Sequence, residues 1–288
     1  MRRRRMAFYI MTVPAFLLFF AFHTFPALQG IYYSLTDWNG YRPTYHFIGL
    51  KNYWLLLNDE DVLHSYLFTF KYAIVATIIV NVLSLLIALG LNAKIPFRNF
   101  FRAVYFLPNI LSILIVGFIF NYLFGQVIPE LGQKWGISFL SSNILGNEKW
   151  AWVGIVIVGV WQSIAFNTIL YLAGLQTIPD ELYEAASLDG AGKWRQFRFI
   201  TFPLIAPFFT INMVLAMKNN LNVFDHVIAM TGGGPGRATE SIAVLIYQGG
   251  FTGGEFSYQS ANAVIFLLVI VTLTFIQLKF LQKREMEM

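Results

Sequence analysis

Six runs of this 288-residue chain are apolar and long enough to cross a bilayer as helices, at about 20 residues per crossing. They lie near residues 7–31, 66–91, 103–124, 150–175, 202–229 and 258–281. In hydrocarbon every backbone N–H and C=O must be satisfied without water, and a helix does this within one segment. The expected fold class is therefore all-α: a polytopic membrane protein with six transmembrane helices in one domain, residues 1–288. Only 12% of residues are charged, against about 25% in soluble domains. Cysteine is absent, which removes disulfides and thiolate metal sites from consideration. The first run outlasts a signal-peptide core and precedes no clear small-residue cleavage site, so a retained helix is expected.

Orientation follows from the basic residues. The flanks that include residues 2–5, Lys94, Arg98, Lys193 and Lys283 hold 13 Lys and Arg, and the alternate flanks hold five. The positive-inside rule then puts both termini in the cytoplasm. The cations are spread over helix ends with no basic stripe, so nucleic acid is not an expected partner. The loops near 32–65, 125–149 and 230–257 become external, and Trp38, Tyr41, Tyr45, Tyr53, Trp54, Trp135 and Trp150 in and around them suit an interfacial belt or a docking surface. Pro14, Pro26, Pro108, Pro203 and Pro207 should kink or break the spans.

The stretch DELYEAASLDGAGKWRQFRFITFPLIAP, residues 180–207, is a polar island between the fourth and fifth runs. Thr177 and Asp180 stand at capping-box spacing, which predicts a helix from about Ile178. Gly190 is placed to end it in the left-handed conformation. A second short helix is expected over 193–200, with Pro203 opening the fifth span. Ala185 and Ala186 leave a low surface that a partner can approach, while Glu181, Glu184 and Asp189 offer charges at its edge. An ordinary solvated connector would read the same way on physics alone.

Residue pattern decides between them. Glu184, Ala185, Ala186, three residues, Gly190, nine residues, then Ile200, one residue, Phe202 and Pro203 resemble the EAA loop of membrane subunits of ABC importers, with Phe202 where the motif has Leu. LAGLQTIPDELYEAASLDGAG and FDHVIAMTGGGPGRATESIAVLIY narrow the resemblance to carbohydrate-importer permeases of the maltose and glycerol-phosphate type. The resemblance implies a type I importer fold: a first helix near 7–31, core helices over about 66–281, and a coupling loop over about 177–201. It implies a second homologous permease as heterodimer partner, two ATP-binding subunits, an extracytoplasmic sugar-binding protein and a bacterial or archaeal cytoplasmic membrane. Glu181, Glu184, Ala185, Ala186, Asp189 and Gly190 are then the ATPase-docking residues. ATP and Mg belong to the partner ATPase, and this chain binds no cofactor.

Polar residues inside the spans suggest where solute passes. Asn219, Asn220 and Asn222 on the fifth span overlap in depth with Gln162, Ser163, Phe166 and Asn167 on the fourth, counting 1.5 Å per residue from the coupling loop. Amides can pair sugar hydroxyls and an aromatic face can cover the ring, although intramembrane amides also serve as interhelical glue. Lys218, Asn222 and Asp225 fall on one helical face, where the two charges could neutralise each other. Under the alternative of a proton- or sodium-coupled carrier acting without an ATPase, Lys218 and Asp225 would be the coupling groups. GAGKW at 190–194 lacks the P-loop pattern, TGGGPG at 231–236 reads as a tight turn, and the four histidines have no metal-ligand spacing, so an enzyme is not expected.

Overall fold

The computed structural model describes residues 12–93 and 97–286; the basic run at residues 2–5 and Lys94 lie outside them. The helices are α1 Thr12–Tyr33, α2 Lys51–Leu56, α3 Glu60–Asn92, α4 Arg98–Ile110, α5 Ile113–Trp135, α6 Ala151–Leu175, α7 Asp180–Leu188, α8 Lys193–Leu221, α9 Asp225–Met230, α10 Ile242–Thr252 and α11 Phe256–Met286. Six of them, α1, α3, α5, α6, α8 and α11, are long and apolar enough to cross a membrane. Among the described residues there is no strand, only an isolated bridge between Thr36 and Phe47. The all-α, six-span expectation is met.

The chain divides into two compact units. One comprises the chain through Leu63 together with Leu245–Val269. In it the segment after α1 is pinned by Asn52, whose amide Nδ2 donates to the carbonyls of Ser34 and Thr36 at 2.9 Å each. The Thr36 and Ser257 hydroxyls pair at 2.8 Å, and Trp38 packs against Tyr33 and Phe256 with ring centroids 4.4 and 5.1 Å away. Several of the loop aromatics therefore bind one another.

The other unit comprises His64–Val244 and Ile270–Met288. Two apolar cores hold it together. One joins Tyr72, Ala76 and Val80 of α3 to Ile155 and Val158 of α6 and Val227 and Met230 of α9. The second joins Ala88 and Leu91 of α3 to Tyr171, Leu172 and Leu175 of α6 and Ile205 of α8. Close approach is bought with glycine: a Cβ on Gly117 would lie 2.4 Å from that of Ala229, and one on Gly159 would lie 2.2 Å from the Tyr72 hydroxyl. Polar glue backs the apolar packing. The Tyr171 hydroxyl donates to Asn81 Oδ1 at 2.7 Å, and Ser84 Oγ donates to the Ile164 carbonyl at 3.2 Å.

Three of the prolines share a signature that Pro108 and Pro207 lack. π-turns at Phe20–Thr24, Leu123–Val127 and Phe197–Thr201 each end two residues before a proline: Pro26, Pro129 and Pro203. A proline ring clashes with the carbonyl four residues earlier and supplies no N–H, and widening the preceding turn lets the helix run through. This corrects two expectations. Pro203 does not open the fifth span, because α8 runs unbroken from Lys193 through the π-turn. The third span does not end near residue 124, because α5 continues through Pro129 to Trp135.

Two spans are broken instead of merely kinked. The run expected at 103–124 is split at Leu111 and Ser112, both extended, with ψ of 141° and 131°. The run expected at 202–229 is split at Asn222–Phe224, where α8 stops and α9 begins afresh.

Candidate functional site

The two breaks meet at one cavity of about 590 Å³ in the larger unit. Asn109, Leu111 and Ile113 contribute from the first break; Lys218, Asn219, Asn220, Asn222 and the residues through His226 contribute from the second. Between them runs α6, which presents Gln162, Ser163, Phe166 and Asn167, and Tyr72 of α3 closes one side.

Gln162 is the joint of this arrangement. Pro108 and the extended residues after it leave carbonyls without helical donors, and Gln162 Nε2 donates to those of Pro108 at 3.3 Å and Leu111 at 3.0 Å. Its Oε1 accepts from His226 Nε2–H at 3.0 Å. One buried amide thus ties the broken third span to the broken fifth. A backbone gap at membrane depth is tolerated only with such partners or where it lines a cavity, and here the gap has the partners and borders the cavity. The second break is satisfied in the same way, with Ser241 Oγ donating to the Val223 carbonyl at 2.6 Å and Asn222 Nδ2 to the Lys218 carbonyl at 2.8 Å.

All seven residues expected around a solute line this cavity, but they face it differently. Gln162, Asn167 and Asn220 are buried; Asn167 Nδ2 donates to the Ser163 carbonyl at 2.8 Å and Asn220 Nδ2 to Thr77 Oγ1 at 3.0 Å, while Asn167 Oδ1 is buried with no partner among the described residues. Asn219, Asn222 and Phe166 are exposed, and Ser163 is half-buried. Asn212, further down α8, does not reach the cavity; it is fully buried and donates to the Asn167 carbonyl at 3.3 Å. Among the described residues Lys218 and Asp225 form no ion pair, contrary to the expected neutralisation, because the break at 222–224 removes them from a common helix. Both nonetheless line the cavity. Asn109 and Tyr72 were missed: an Asn next to an intramembrane proline is a signal that could have been used, whereas Tyr72 in an apolar helix gives none.

The polar island between α6 and α8 forms a second candidate site. Helix α7 starts at Asp180, behind Pro179, without a side-chain cap. The predicted capping box does not form, because Thr177 Oγ1 donates back to the Gly174 carbonyl at 2.7 Å. The helix does end at Gly190 as expected, with φ of +75°. Ala191 N–H donates to the Ala186 carbonyl at 2.8 Å and Gly190 N–H to that of Ser187 at 3.1 Å, which is a Schellman motif. Tyr183 pairs with Thr201 Oγ1 at 2.9 Å, and Gln196 Nε2 donates to Ser187 Oγ at 2.9 Å, so α7 is fastened to the start of α8. Glu181, Glu184, Ala185, Asp189 and Gly190 are exposed and Ala186 is half-buried. Leu188, an apolar residue at 90% exposure, stands among them.

The glycine-rich segment after α9 is a self-tied turn. Thr239 N–H donates to the Gly233 carbonyl at 3.1 Å and its hydroxyl to that of Gly234 at 2.6 Å. Glu240, buried below it, pairs with Arg237 at 2.6 Å and accepts from Ser65 Oγ at 3.3 Å.

Comparison with known proteins places this architecture. The family model for binding-protein-dependent transport system inner membrane components matches residues 80–286. The probable starch degradation products permease AmyD of Thermoanaerobacterium thermosulfurigenes is 40% identical, over 91% of this chain and 89% of its own length. The multiple sugar-binding transport permease MsmF of Streptococcus mutans is 36% identical, over 92% of this chain and 91% of its own. A solved bacterial ABC transporter involved in import of the acidic polysaccharide alginate shares the fold, with a TM-score of 0.84 at 22% identity over 98% of this chain and 96% of that one. A multi-pass membrane protein with two interrupted spans around a polar cavity, this chain belongs to the family of binding-protein-dependent transport system inner membrane components.

Proposed function

We propose that this chain is the permease subunit of an ATP-driven carbohydrate importer, that residues 1–288 act as one transmembrane domain, and that the cavity at the two breaks is its half of the translocation path. The observation that carries the reading is the lining itself: exposed Asn219 and Asn222, half-buried Ser163 and the open face of Phe166, held in place by buried amides behind them. Asn and Ser supply donors and acceptors in the pattern of sugar hydroxyls, and an aromatic face suits the apolar side of a pyranose ring. Relatives named for starch products and multiple sugars support the same substrate class.

Helix α7 is the coupling helix. Its Schellman-capped end and its hydrogen bonds to α8 make it a stiff lever, and its exposed acidic, alanine and leucine surface suits a groove on an ATPase. ATP and Mg bind that partner. A ligand shifts a conformational equilibrium only by its differential affinity for the two states, so ATP must favour the ATPase closure that, through α7 and α8, reshapes the cavity. The partners are a second permease, two ATPase subunits and an external sugar-binding protein, with both termini of this chain in the cytoplasm.

The test is uptake of labelled maltodextrins by proteoliposomes containing the assembled complex, the binding protein and ATP. The reading expects accumulation only with hydrolysable ATP. Uptake at the same rate without nucleotide would contradict it.

A further inference from the structure

Lys71 stands where a lysine is costly. It lies on α3 along the exposed row Leu67, Lys71, Ile74, Ile78 and Val82, spaced four, three, four and four residues, which is one face of the helix. The rest of that row is apolar and suits acyl chains. Helix α3 has 33 residues and is about 50 Å long, so when centred on a hydrocarbon core of about 30 Å it projects about 10 Å at each end. Lys71, about 16 Å from its start, then sits about 6 Å below the headgroup boundary, within reach of a snorkelling side chain.

A second cavity, of about 580 Å³, opens at that depth between the first turns of α3 and the start of α6. Lys71 and His64 line it from α3, and Lys149, Glu148 and Trp152 line it from the other side, with Leu67 at its apolar lip. Lys71 Nζ lies 3.8 Å over the Trp152 ring. Among the described residues no carboxylate lies within 4 Å of Lys71 or Lys149, so the two ammonium groups outweigh Glu148 and the cavity carries positive charge. An aromatic face steadies one cation without neutralising it.

We propose that this cavity holds the phosphate headgroup of an anionic phospholipid, with Lys71 and Lys149 as its two cations, Trp152 as the wall that positions Lys71, and the Leu67–Ile74–Ile78 row as the track of an acyl chain. Lipid is favoured over a free anion because the charged site opens directly onto the apolar row. It is favoured over a protein partner because the row continues unbroken toward mid-membrane, as an acyl chain does.

The experiment uses the assembled importer in nanodiscs of phosphatidylcholine with a minor fraction of phosphatidylglycerol, followed by native mass spectrometry. Phosphatidylglycerol should stay bound to the complex, and retention should fall about fivefold in Lys71→Gln and in Lys149→Gln. The second variant lies outside the spans and guards against misfolding of the first. Millimolar inorganic phosphate should not displace the lipid. Equal retention by wild type and both variants would overturn the proposal. So would displacement by phosphate alone, which marks a free-anion site, or a carboxylate of a neighbouring subunit found against Lys71 in the complex.

Discussion

The cavity and helix α7 are both polar islands in an apolar chain, and they treat their polar groups in opposite ways. Around the cavity, Gln162, Asn220 and His226 find partners within the chain, and the backbone breaks depend on those bonds. On α7 the acidic residues are exposed and the chain spends its hydrogen bonds on the ends of the helix. A polar group satisfied internally fixes the shape of its own fold. One that is ordered but left outward-facing points to a partner.

This contrast can be broken at its strongest point first. Glu184→Lys reverses an exposed charge that no internal bond uses, so the protein should still insert and stay folded while co-purification with the ATPase and ATP-driven uptake are lost. Intact co-purification would remove α7 from the docking surface. Gln162→Leu should act from the inside: it strips partners from His226 and from the Pro108 and Leu111 carbonyls, each worth about 1–3 kcal/mol when left unsatisfied. Lower thermal stability together with a more than tenfold loss of uptake is expected, while ATPase binding persists. If stability is unchanged, the breaks do not depend on that amide.

Smaller effects sharpen the distinction within the membrane. Asn219→Ala and Asn222→Ala remove exposed cavity amides, at roughly 1 kcal/mol each, so the KM for sugar uptake should rise about fivefold with assembly intact. Unchanged kinetics would exclude them from the path. Tyr171→Phe removes the hydroxyl that donates to Asn81 and accepts from Asn212, away from the cavity. It should cost about 0.6 kcal/mol in stability and leave uptake unaltered, and a changed KM would show that the glue between α3 and α6 shapes the site.

Much of this arrangement was legible in the sequence, and the remainder failed for identifiable reasons. The spans were readable because bilayer thickness demands apolar runs of a set length, and the cavity because amides at membrane depth need somewhere to point. The break at Asn222–Phe224 contains neither Pro nor Gly, and its freed carbonyl is satisfied by Ser241, a residue far along the chain, so nothing local marked it. Pro108 did signal a distortion, but the extended turn three residues later depends on Gln162, 51 positions from Leu111. Pro203 misled in the other direction, because a π-turn absorbed it. Thr177 was read as a cap for the next helix and instead bonded to the previous one.

This chain has no cysteine, so a single introduced thiol is the only one it carries, and the assembled transporter without the substitution gives the background rate. The most direct test of coupling is the labelling rate of Asn219→Cys in the assembled transporter, with and without ATP, in otherwise native and Glu184→Lys backgrounds. The account predicts that ATP changes the rate in the native background and has no effect once Glu184 is replaced. A nucleotide-dependent rate that survives Glu184→Lys would contradict it.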